Sequence, residues 1–139
     1  MNYSTFNINN FFIKKDSTLP VLKYPLTQHT MEKYDITPDM LENVAVTFSM
    51  VDAQTGLYQI ANVGANLIVN NNRPEYPDEV QYTLTYKFKL SQTKKTGRYL
   101  GEFVVDFLNP EYGCGKIKFP VDGEINIIIS GSITKTTVI

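Results

Sequence analysis

The run Gln81-Tyr-Thr-Leu-Thr-Tyr-Lys-Phe-Lys-Leu90 alternates polar and apolar side chains without a break. A period of two is the repeat of an extended chain, so Tyr82, Leu84, Tyr86, Phe88 and Leu90 share one side of a sheet and Thr83, Thr85, Lys87 and Lys89 the other. After Ser91 to Lys95 a looser alternation resumes through Tyr99, Gly101, Phe103, Val105 and Phe107. These are two β-strands, the first with one wet face.

The same rhythm recurs along the chain. Val44 to Val51 puts Val44, Val46, Phe48 and Met50 on one face and stops at Asp52-Ala-Gln-Thr-Gly56, where glycine suits the turn of a hairpin that returns through Leu57 to Ile60. Leu67-Ile68-Val69 is a short strand before a breaker-rich loop, Asn70 to Asp78. Ile117, Phe119 and Val121 alternate as another strand. Glu124 to Ile133 forms the last, with Ile125, Ile127 and Ile129 on one side and Ile128 interrupting the polar one. Residues 11–26 read as a first strand broken near Pro20 and placed at an edge, because proline cannot donate to a ladder. Thr37-Pro38-Asp39-Met40-Leu41-Glu42 has the capping residue, the early proline and the first-turn acid of one short helix near 38–42.

About seven to nine strands with turns every ten residues or so predict an all-β fold, an antiparallel two-sheet sandwich, with a partly closed barrel as the alternative. Tyr99 opens a strand just after the turn-like Lys95-Thr-Gly-Arg98, which resembles the tyrosine corner of immunoglobulin-like domains. An ordinary strand-start aromatic is the other reading of Tyr99. A chain of 139 residues makes one domain, taken as 11–139, preceded by an Asn-rich arm over 1–10 in which Tyr3, Phe6 and Ile8 are the anchors.

Thirteen basic residues against fourteen acidic ones leave no surplus to draw nucleic acid, which is excluded as an expected partner. The single Cys114 cannot form an internal disulfide. The first ten residues lack a charged and then apolar leader pattern, and no stretch nears the roughly 18 apolar residues of a membrane span.

Chemistry-bearing constellations are sparse. His29 and Cys114 are a conceivable base and nucleophile, but a cysteine in Gly113-Cys114-Gly115 suits a tight bend better. Glu102 and Asp106 lie about 13 Å apart on one strand face, too far for a glycosidic acid/base pair. Asp52, Asp78, Glu79 and the asparagines at 70–72 offer oxygen ligands for calcium without any EF-hand spacing. Arg73 and Tyr76, between Pro74 and Pro77, form a candidate glycan contact, with a plain exposed loop as the alternative. The expectation is a non-enzyme with no cofactor and no bound metal.

Three blocks carry a resemblance: Phe12-Ile-Lys-Lys-Asp-Ser-Thr-Leu-Pro-Val-Leu22, Ala45-Val-Thr-Phe-Ser-Met-Val-Asp-Ala-Gln-Thr-Gly56 and Gly97-Arg-Tyr-Leu-Gly-Glu-Phe103. Together they resemble small virion proteins of tailed bacteriophages, particularly crAss-like phages. The second and third are also similar to the immunoglobulin-like N-terminal domain of phage baseplate upper proteins. The resemblance implies an immunoglobulin-like sandwich and a structural virion protein without catalytic residues. Baseplate upper proteins continue beyond the sandwich, and this chain does not, so a capsid decoration or fibre-anchoring role is expected before a baseplate or tail adaptor. A carbohydrate-binding module or host adhesin is the reading from a different class. The expected partners are the major capsid protein or fibre and baseplate subunits, with homo-oligomers compatible, and the expected location is the virion. Tyr3, Phe6, Ile8, Phe11 and Phe12, with Val138 and Ile139 at the other end, are the expected contacts.

Overall fold

The computed structural model describes residues 10–71, 75, 80–112 and 115–131. Nine strands occur among them: β1 (Asn10–Lys14), β2 (Leu22–Leu26), β3 (Val44–Asp52), β4 (Tyr58–Gly64), β5 (Asn66–Asn70), β6 (Gln81–Tyr86), β7 (Gly97–Phe107), β8 (Gly115–Phe119) and β9 (Ile125–Ser130). They form two sheets, one ordered β1-β9-β7-β3-β4 with β8 also on β7, the other β2-β6-β5. Relabelled in chain order, the small sheet is B-E-D and the large one G-F-C-C′, the arrangement of an immunoglobulin-like sandwich. The pairing is antiparallel throughout except at one edge, where β1 runs parallel to β9.

The eleven residues of β7 organise the large sheet. On one side β3 matches it over nine consecutive pairs, from Val44 opposite Phe107 to Asp52 opposite Tyr99. On the other side β9 takes residues 97–101 and β8 takes residues 103–107. Together β8 and β9 are one strand line interrupted by residues 120–124, where the Phe119–Pro120 bond is cis. Val121, expected on a strand, therefore falls in this excursion and is exposed.

The core lies between the sheets and is aromatic. Phe48 stacks on Tyr86 with ring centroids 4.6 Å apart and meets Phe103 at 5.1 Å, so β3 and β7 of one sheet grip β6 of the other. Phe88 stands edge-on to Tyr86 at 5.2 Å and stacks on Phe11 at 5.8 Å. Glycine at position 101 makes room for this packing: a Cβ there would sit 2.7 Å from Ile127 Cδ1 and 2.9 Å from Phe48 Cζ, so those side chains would have to shift. Tyr99 is a tyrosine corner, its buried phenol donating to the Lys95 carbonyl at 2.9 Å, and burial pushes its pKa above the ordinary value.

Three sequence expectations need correction. Residues 11–26 are not one broken strand. Between β1 and β2 lies an irregular connection containing the cis Leu19–Pro20 bond, and the two strands join different sheets, each at an edge. The strand over 81–90 ends at Tyr86, because both neighbours of β6 pair only with Gln81–Tyr86. Beyond that point Phe88 is buried by ring packing, while Leu90 turns outward into a short 3₁₀ segment, Leu90–Gln92. The short helix at Pro38–Glu42 is present as a 3₁₀ turn, but a second helix, α1 (Gln28–Lys33), precedes it. Its signals are Thr27, whose hydroxyl accepts from the Thr30 amide, and the Gln28–Glu32 side-chain bond one turn apart.

Candidate interaction surfaces at the sheet edges

The outer strands are β1, β4 and β8 of the large sheet and β2 and β5 of the small one, and their chemistry decides what can approach the sandwich. On one flank lie β1 and β2. Alternation along β1 divides its two phenylalanines: Phe11 points inward onto Phe88, whereas Phe12 is 60 % exposed on the outer face beside Ile128 of β9. Phe11 is thereby engaged with its own core, leaving Phe12 as the expected contact residue of this strand that is open to a neighbour. Around the Phe12–Ile128 pair runs a polar ladder, in which Arg98 Nε donates to Asn126 Oδ1 and Asn126 Nδ2 to Asn10 Oδ1. This ladder holds Asn10, at the start of β1, against β9. The connection after β1 is tied down by Thr93, which is fully buried: its hydroxyl donates to Ser17 O at 2.8 Å and accepts from Ser17 N at 3.2 Å. An ion pair of Lys94 with Asp16 at 2.9 Å lies beside it and holds that carboxyl below its usual range.

The opposite flank is made by β4 and β5, which follow one another with only Ala65 between them while belonging to different sheets. Here β4 bulges against β3: one residue lies between Phe48 and Met50 where two lie between their partners Val63 and Ile60. Asn62, at φ +50°, sits in the bulge, held by its amide donating to Ser49 Oγ at 2.8 Å. By contrast β5 pairs with β6 in unbroken register from Asn66 opposite Thr85 to Asn70 opposite Gln81. Leu57, Tyr58, Ile68 and Val69 all stand exposed along this flank. None of the four was among the expected contacts. A sequence signal for them existed: residues 53–72 contain no Asp, Glu, Lys or Arg, although charged residues make up 19 % of the chain. About four would be expected in twenty positions at that frequency.

The polar groups singled out by sequence are dispersed. His29 lines a hollow of about 360 Å³ with Tyr24, Lys23 and Thr30, between β1, β2 and the start of α1. Its suggested companion Cys114 lies outside the described residues. Glu102 and Asp106 each face a separate lysine of β8, Lys118 at 3.8 Å and Lys116 at 3.7 Å, as solvated groups on a sheet face do. Asp52 caps its own turn, one oxygen accepting from the Gln54 and Thr55 amides at 2.8 and 3.1 Å, and these donors hold its carboxyl below the usual range. Among the described residues no three His, Cys, Asp or Glu side chains gather as a metal site. Asp78, Glu79, Asn72 and the glycan candidates Arg73 and Tyr76 lie outside the described residues, as do Tyr3, Phe6, Ile8, Val138 and Ile139.

Comparison with known proteins finds no family model, no curated protein and no solved structure that matches the chain.

Proposed function

We propose that this chain is a structural binding module, an accessory subunit of a bacteriophage particle that docks onto a capsid or fibre protein through its arm and the β1 face. The observation that carries the docking surface is the split of Phe11 and Phe12. One ring anchors the strand in the core, and its neighbour offers a large apolar side chain to the outside, next to Ile128 and directly after the uncharged segment 1–9. Covering an exposed aromatic side chain of this size on a partner supplies apolar burial that favours docking. The particle context comes from the sequence blocks at 12–22, 45–56 and 97–103 that resemble phage virion proteins.

Co-sedimentation with particles lacking the protein tests this reading. Deletion of residues 1–9 combined with Phe12→Ser, which leaves Phe11 and Ile13 in the core, is expected to abolish loading while the melting temperature stays near that of the parent. Full occupancy by the doubly altered protein would remove the β1 face from consideration.

A further inference from the structure

Outer strands of soluble sandwiches are normally protected against pairing with other strands by lysine, proline, bulges or covering segments. Here β2 carries Lys23 and Pro25, β8 carries Lys116 and Lys118, and β4 is bulged at Asn62. The end of β1 is Lys14, whose ammonium donates to Gly131 O. Among the described residues none of these devices occurs at β5. It is regular, uncharged, free of proline, and shows Ile68 at 48 % and Val69 at 55 % exposure.

We propose that β5 pairs antiparallel with β5 of a second copy of this chain, across a two-fold axis at Ile68. The argument for a second copy, and against an arbitrary extended peptide, is self-complementarity. A two-fold pairing sets residue i against residue j of the same sequence, so an edge that is to meet itself must read alike in both directions. Asn66-Leu67-Ile68-Val69-Asn70 does so: Asn66 meets the partner's Asn70, Leu67 meets the partner's Val69, and Ile68 meets its own equivalent. Amides face amides, branched aliphatics face branched aliphatics, and no charge opposes its like. Two of the other edges fail this requirement outright. The same operation on β8 would set Lys116 against Lys118, and on β2 it would set Lys23 against a proline that cannot donate. Pairing would join the two three-stranded sheets into one of six strands. The uncharged stretch 53–72 would then lie beside the junction with no ionic group of its own to bury. This inference stands on the edge chemistry alone and does not require the particle-docking role.

Sedimentation equilibrium on the whole chain tests it. At about 100 μM, where an interface of micromolar affinity is saturated, the parent protein is expected to have the mass of a dimer. Ile68→Lys and Ile68→Glu, each placing like charges across the axis, are expected to raise Kd by about tenfold or more, read as a monomer–dimer transition displaced to correspondingly higher concentration with unchanged circular dichroism. An equimolar mixture of the two is expected to recover the dimer mass, because opposite charges then face each other. Two results overturn the proposal: a parent protein that remains monomeric at this concentration, or charge variants that dimerise as well as it does. A dimer that both variants weaken and their mixture fails to restore also overturns it, since position 68 would not then face itself.

Discussion

The two flanks of this sandwich are built on different principles. On the β1–β2 side the edges are anchored and guarded: Phe11 and Ile13 reach into the core, Thr93 fastens the connection at Ser17, and lysine or proline lies in each strand. On the β4–β5 side anchoring is thinner. Ile60 is the buried side chain there, Val63 and Leu67 pack from the margin, and the surface is uncharged. The contrast teaches that one flank is held by side chains reaching into the core and the other mainly by strand pairing. Substitutions of the inward-facing side chains on the first flank should destabilise the protein, and those at the exposed positions of the second should leave the fold.

The largest effect expected on the anchored flank comes from Phe88→Ala. This ring touches Phe11, Tyr86 and Phe48, and its loss leaves a cavity worth about 3–5 kcal/mol, visible as a lower urea midpoint. Hydrogen exchange should accelerate at the β1 amides more than at those of β5. Equal acceleration at both would erase the distinction drawn between the flanks.

Thr93→Val should cost about 1–3 kcal/mol, since it removes both hydrogen bonds that close on Ser17 from a fully buried position. Thermal unfolding of Thr93→Val alongside Thr93→Ser separates the two contributions. If the serine variant, which keeps the hydroxyl, is as unstable as the valine variant, packing and not the hydrogen-bonded clasp holds that connection.

Tyr99→Phe is expected to have the smallest effect of the three, about 0.5–1.5 kcal/mol, for the bond to Lys95 O. It also has a pH signature. Folding raises the Tyr99 pKa and so favours the protonated phenol. That contribution is complete below the ordinary tyrosine pKa of about 10 and is lost as the pH climbs through the raised value. Stability of the parent should therefore fall more steeply above pH 10 than that of Tyr99→Phe. Parallel alkaline limbs would show that the corner does not depend on the proton.

Much of the sandwich is legible in the residues because period-two burial is a local property. Tyr82, Leu84, Tyr86 and Phe88 point inward, as do Tyr99, Phe103, Val105 and Phe107, each as its alternation predicts. The corner at Tyr99 is legible for the same reason, its partner being only four residues away. Less legible is anything that depends on a distant partner. That Gln81–Leu90 stops pairing at Tyr86 follows from the reach of β2 and β5, and that residues 11–26 serve two sheets follows from where β9 and β6 lie. For the interaction surfaces, alternation marked Phe11 and Phe12 as large apolar residues but could not say which of them faces outward. The neutral run at 53–72 was readable as composition, without any indication that it forms an outer edge.

By itself the order of residues determined that this protein pairs strands, which faces of them are apolar, and where its tyrosine corner falls, since each depends on neighbours within a few positions. Only the tertiary structure decided the sheet order, the parallel seating of β1 on β9, and the exposure of β5 at an edge. Those outcomes are set by contacts between segments far apart in the chain, and no local pattern records which strand is left without a neighbour.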